Sequence, residues 1–208
     1  MRIFLLPIII TTLVWVLNHN IKRNRVNNKE TVRDYLKREE EANSVRKKDI
    51  SNLPYIKVPL DNLPIDITLN DEKKQSQIEK YRKQIDYLAD KTMLNLIGIS
   101  NTELKEQYGV ANLDKLITYD QNYSRMFSNL QWYAAEIYDE YPAEAAKIMK
   151  YMVDTGTDII GTYELLGNYY ASVNDSEAFN ALFDKIPDKS SVSGKTIVRK
   201  LNDIREAF

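Results

Sequence analysis

The chain of 208 residues contains no cysteine and a single histidine, His19. The first absence excludes disulfides, thiolate metal sites and cysteine nucleophiles. The second leaves no imidazole beyond residue 19, so neither a Ser-His-Asp triad nor a histidine metal cluster can be built in the rest of the chain. Six glycines and six prolines are few for this length, which favours helices over turn-rich β structure. A net charge of −1 supplies no electrostatic footprint for nucleic acid. No metal, cofactor or nucleic-acid partner is expected, and no catalytic residue stands out.

Two local patterns imitate chemistry and fail on spacing. Ser193, Gly194, Lys195 and Thr196 look like the end of a phosphate loop, but that motif needs glycine five residues before Gly194 and Lys189 stands there. Asp61, Asp66 and Asp71 recur every five residues, which does not match a calcium loop. Glu39, Glu40 and Glu41 lie in a charge run and read as solvated side chains.

What is present begins with an uncharged run over residues 3–17, IFLLPIIITTLVWVL. As a helix it spans about 22 Å, short of the roughly 30 Å hydrocarbon core. Residues 18–21 extend it, and the stems of Lys22 and Arg23 can snorkel. The rival is a cleaved signal peptide, but the small-x-small cleavage pattern is missing. The expectation is a single-pass anchor over residues 1–21 that meets the membrane through residues 3–21. Only Arg2 precedes the run, whereas Lys22, Arg23, Arg25, Lys29 and Arg33 follow it. Positive flanks favour the cytoplasmic side, which places the body there, with the opposite orientation left open.

Charge then divides the chain. Residues 18–50 hold 10 Lys/Arg against 6 Asp/Glu, and residues 51–208 hold 18 against 24, so a basic segment precedes an acidic body. Residues 22–50 read as a charged juxtamembrane helix with a thin apolar stripe of Val32, Tyr35, Leu36, Ala42 and Val45. This is a solvated stalk, a short coiled coil or a headgroup-binding helix. In residues 51–70 the prolines 54, 59 and 64 recur every five residues. They remove donors and force extended neighbours, so the segment reads as an extended strap. Its Ile56, Val58, Leu60, Ile65 and Leu69 are too apolar for a free linker. The strap either lies across the body or serves as a partner-recognition peptide.

Residues 71–208 read as a helical body, making the chain all-α. Asn70 or Asp71 caps a helix running to about Leu96, and Ser100 with Glu103 forms a capping box ended by Gly109. A helix from about Asp120 to Tyr141 follows, with Tyr123, Phe127, Leu130, Ala134, Ile137 and Tyr141 inward. Pro142 opens the next helix and Gly156 stops it. Ile197, Leu201, Ile204 and Phe208 mark one face of a C-terminal capping helix.

Sliding the chain on itself by 33 residues aligns Leu130 with Tyr163, Tyr133 with Leu166 and Ala134 with Gly167. It also aligns Ile137 with Tyr170, Ala145 with Ala178 and Met149 with Leu182. A period of this size signals stacked helical hairpins. Tyr163, Leu166, Gly167, Tyr170, Ala178, Leu182 and Pro187 follow in order the pattern of the tetratricopeptide repeat. Over residues 127–187 the chain therefore resembles that family, with the Tyr170–Ala178 gap one residue short and Pro187 about three residues early. The resemblance implies a concave face built from the first helix of each hairpin. It would present Gln131, Ala135 and Tyr138 from one copy and Glu164, Asn168 and Ala171 from the next, and it would dock a protein or peptide. The alternatives are an enzyme with a carboxylate-based site, or a purely structural spacer.

Overall fold

The computed structural model describes residues 31–207, and all of its regular elements are helical. Among the described residues no helix is long and apolar enough to cross a membrane. The expected anchor lies outside the described residues, as does Phe208. The described chain divides into two compact units, one made of residues 31–49 with Ser100–Leu113, the other of Ile50–Ile99 with residues 114–207. Residues 100–113, read from sequence as part of the body, thus group with the segment that precedes the strap.

In the first unit, residues 31–43 form helix α1 and α3 spans Asn101–Tyr108. The capping box at Ser100 is complete: its hydroxyl accepts from the Glu103 amide at 3.3 Å, and the Glu103 carboxylate accepts from the Ser100 amide at 2.7 Å. Arg38 donates two bonds of 2.7 Å to the Glu106 carboxylate. Glu39 accepts from the Thr102 hydroxyl at 2.7 Å and pairs with Lys105. Those hydrogen bonds, Lys105 first, hold the Glu39 carboxyl below its usual range. Glu39 is therefore not a solvated member of a charge run, because α3 supplies it with a cation and a hydroxyl.

The helix expected to reach residue 50 stops at residue 43. The Ser44 hydroxyl turns back to the Glu41 carbonyl at 2.6 Å, and the Lys48 amide leaves the helical pattern to donate to the Tyr108 carbonyl at 3.1 Å. The Asn112 side chain locks this turn by donating to the Lys48 and Tyr108 carbonyls at 2.8 and 2.7 Å. Of the apolar stripe, Ala42 is buried while Val32, Tyr35 and Leu36 are exposed.

In the second unit, α2 spans Glu72–Ala89, α4 Leu113–Ile137 (its first residue belonging to the first unit), α5 Pro142–Asp154, α6 Ile160–Ser172, α7 Ser176–Ala181 and α8 Val192–Ala207. Asp71 caps α2 by accepting from the Lys73 and Lys74 amides. That helix ends at Ala89, short of the expected Leu96. Beyond it, Met93 pairs with Ile56 of the strap in an antiparallel bridge, and the Leu94 amide donates to the Tyr119 carbonyl at 3.3 Å. These bonds take over from the helical ladder.

The strap is non-helical apart from one 3-10 turn at Leu60–Asn62. Its Val58, Ile65 and Leu69 are buried in the same core as Phe127, Leu130 and Tyr163. The Ile67 amide donates to the Tyr133 hydroxyl at 3.1 Å, and the Tyr141 hydroxyl donates to the Thr68 carbonyl at 3.3 Å. Tyr141, expected inward, is exposed, and its hydroxyl is the part that reaches the strap. Pro142 is the first residue of α5, and Gly156 turns the chain after it with φ +84°.

Burial partly follows the 33-residue register. Leu130 and Tyr163, Tyr133 and Leu166, Ala134 and Gly167, and Met149 and Leu182 are all buried. Tyr170 and Ala178 are half-buried where Ile137 and Ala145 are fully enclosed.

Candidate functional site

Helix α6 is apolar around most of its circumference, with Ile160, Tyr163, Leu165, Leu166, Tyr169 and Tyr170 pointing in several directions. Such a helix needs cover on more than one side, and α6 packs against both α5 and α8. One polar line interrupts it: Glu164, Asn168 and Ser172 recur every four residues and so share a face.

That line and α8 form an open cleft of about 500 Å³, bordered by Glu164, Asn168, Ala171, Lys200, Asp203 and Ile204. The Lys200 ammonium donates to the Glu164 carboxylate at 2.8 Å and ties the two helices together across it. Both partners are about one-third exposed, so the pair contributes no more than about 1 kcal/mol. Asn168 is exposed and bears both donors and an acceptor, which suits it to a peptide backbone. Asp203 carries the remaining charge and Ile204 the apolar surface.

Gly167 sets the separation of the two helices. A Cβ at this position would lie 3.0 Å from Leu201 Cδ2, 3.3 Å from Ile204 Cδ1 and 3.4 Å from Phe179 Cε2. A larger residue must push α8 outward and deform the cleft. Gly167→Leu is expected to destabilise the protein by roughly 2–4 kcal/mol. Urea denaturation of the full chain checks this, and a loss below about 0.5 kcal/mol, within the range of an ordinary surface change, would show that α8 does not close on Gly167.

The six residues singled out in the sequence do not share one surface. Glu164, Asn168 and Ala171 meet in the cleft. Gln131 is only 7% exposed, and its side-chain oxygen accepts from the buried Thr162 hydroxyl at 2.6 Å, so it fastens α4 to α6. Ala135 is exposed on α4. Tyr138 is half-buried against the core, and burial raises its phenol pKa. None of these three borders the α6–α8 cleft.

The α8 contribution was missed from sequence. Its inward set of Ile197, Leu201 and Ile204 was visible in the spacing, but Lys200 and Asp203 gain meaning only from the approach of α6. Trp132 was also missed. It is 52% exposed on α4, with its ring 5.7 Å from that of Tyr81 on α2, and it falls outside the inward period of that helix, so the spacing did not mark it.

Family models, curated proteins and solved structures were all compared with the chain, and none matches it.

Proposed function

We propose that this chain is a single-pass membrane protein, anchored through residues 3–21 with its body on the cytoplasmic side. Its tetratricopeptide-like hairpins form a scaffold that docks a protein or peptide in the α6–α8 cleft. The observation that carries the reading is the cleft itself. It is open, it mixes an exposed amide with apolar surface, and it gathers three residues chosen independently from the repeat pattern. Among the described residues no aspartate or glutamate is buried, and no three acidic, histidine or cysteine side chains converge. An open groove whose ionisable groups are a partly exposed Lys200–Glu164 pair and Asp203, with no buried pair of carboxylates, supports docking over carboxylate catalysis.

The test uses the full chain in its native membranes, in the fraction that high salt does not extract, since an apolar anchor is not held by charge. A photo-crosslinking residue at position 168 is expected to yield one discrete adduct, and the same residue at the exposed Glu177 none. Ala171→Arg, which narrows the cleft, is expected to lower adduct yield at least about tenfold without moving the melting temperature. Equal adducts at both positions, or an adduct indifferent to Ala171→Arg, would overturn the docking site. Release of the chain by salt alone would overturn the anchor.

A further inference from the structure

A second cleft, of about 510 Å³, is built by the strap and owes nothing to α8. Tyr55 and Lys57 border it from the strap, Asp90 and Lys91 from the end of α2, and Tyr119 from α4. The antiparallel bridge holds the strap extended here, with the Ile56 amide donating to the Met93 carbonyl at 3.0 Å. In an extended chain residues two apart share a side. Tyr55 and Lys57 therefore face the same way, while Ile56 packs against the core.

The aromatic part is a pair of rings in contact, which presents an apolar surface to the cleft. The Tyr55 and Tyr119 rings stand edge to face, with centroids 5.7 Å apart and planes at 87°. The Tyr55 hydroxyl donates to the Ile50 carbonyl, which fixes that ring. Two nearby lysines lie over rings. Lys91 places its ammonium 4.8 Å from the centre of the Tyr87 ring, and Lys115 places its own 5.7 Å from that of Tyr119.

Residues 51–208 carry 18 Lys/Arg against 24 Asp/Glu, and acidic side chains pair lysines elsewhere on the body. Among the described residues Lys57 and Lys91 of the cleft enter no ion pair, as Lys73, Lys80, Lys83 and Lys195 elsewhere do not, and both are exposed. Asp90 is the one carboxylate bordering the cleft. On an acidic body this cleft sets two unpaired lysines against one carboxylate beside an aromatic pair, and its complement is an anion that also carries an apolar group.

We propose that the strap cleft binds an extended acidic segment of a partner protein. An apolar side chain of that segment packs on the paired Tyr55 and Tyr119 rings, and carboxylates two residues apart reach Lys57 and Lys91. The ligand's two-residue period matches that of the strap beside it. A bilayer surface is flat and would meet the two lysines without filling the cleft, so the recess favours a peptide over anionic lipid.

The experiment is fluorescence anisotropy on the full chain in nonionic detergent. The probe is a labelled peptide alternating glutamate and valine around a central phenylalanine. Saturable binding that weakens with added salt is expected. Lys57→Glu combined with Lys91→Glu is expected to weaken it at least about tenfold, since like charges then face each other. Arg199→Glu on α8, and Ala171→Arg in the other cleft, are expected to leave it unchanged. The same peptide with lysine in place of glutamate is expected not to bind. Thermal melting monitors folding, with Lys57→Gln and Lys91→Gln as milder replacements should the reversal unfold the chain. No binding of the glutamate peptide, equal binding by the double variant, or binding only of phosphatidylserine-containing vesicles would overturn the proposal.

Discussion

Tyr163→Ala is expected to destabilise the protein by roughly 3–5 kcal/mol, the range for deleting a large aromatic side chain from a packed core. The Tyr163 side chain is 0% exposed and belongs to the cluster that contains Leu130, Met149 and Leu182. Its loss removes apolar burial and leaves a void that the fixed helices around it can fill only in part. The hydroxyl adds a second contribution. It lies 3.0 Å from the Thr157 carbonyl and 2.9 Å from the Lys185 carbonyl, and its one proton serves both. Those carbonyls belong to the chain on either side of the α6–α7 hairpin, so the tyrosine ties the start of the hairpin to its end. Burial pushes the phenol pKa upward, so the group stays a neutral donor across the physiological range. Tyr163→Phe separates the two contributions and is expected to cost about 1–2 kcal/mol. Urea denaturation followed by circular dichroism measures both, and an alanine variant that loses less than the phenylalanine variant would refute the packing argument.

Gly109→Ala is expected to cost roughly 3–4 kcal/mol, through two mechanisms acting together. The backbone at Gly109 has φ +84° and ψ 145°, a region that is nearly closed to residues with a Cβ. A Cβ placed there would also lie 2.4 Å from the Arg46 carbonyl oxygen and 2.9 Å from Lys47 Cα. Backbone cannot rotate aside as a flexible side chain would. Either the left-handed turn relaxes and α3 loses its terminal bond from the Gly109 amide to the Lys105 carbonyl, or residues 46–48 retreat from it. The second route breaks the Lys48–Tyr108 bond and the Asn112 latch. Hydrogen exchange is expected to show lost protection at Lys48 and Gly109 amides while Phe127 and Leu130 keep theirs. Uniform protection across both groups would refute the close approach.

Helix caps were the most legible part of the structure and helix lengths were not: α1 stops at residue 43 rather than 50, α2 at Ala89 rather than Leu96, and α4 runs Leu113–Ile137 rather than from about Asp120 to Tyr141. Asp71, the Ser100–Glu103 box, Gly109 and Pro142 act on amides within four residues of themselves, so their chemistry is written locally. The inward faces of α4 and α8 were legible for the same reason, since a helical period depends on neighbours in sequence. Errors appeared where a distant group decided the outcome. Leu94 and Leu96 prolong the apolar spacing of α2, but Met93 is claimed by Ile56 of the strap. Glu39 looked solvated until Thr102 and Lys105 supplied its partners. Gln131 lay on the helix face assigned to binding, yet Thr162 draws it into the interior. Half of the candidate site was legible because α6 carries its own polar line, and the α8 half required knowing which helix covers Gly167.

The first unit joins chain segments separated by the whole of Ile50–Ile99. Arg38 and Glu106, which tie α1 to α3, are 68 positions apart. During synthesis the N-terminal segment emerges first and must wait for its cover. At roughly 5–20 residues per second, that interval is several seconds. Throughout it Ala42 has no burying surface from α3, and Glu39 has neither its lysine nor its threonine. The loop-closure entropy of so distant a pairing must also be met before any of its contacts form. A nascent chain stalled before residue 100 therefore leaves Arg38 and Glu39 of α1 without their partners, and release of Ser100–Leu113 from the ribosome supplies them.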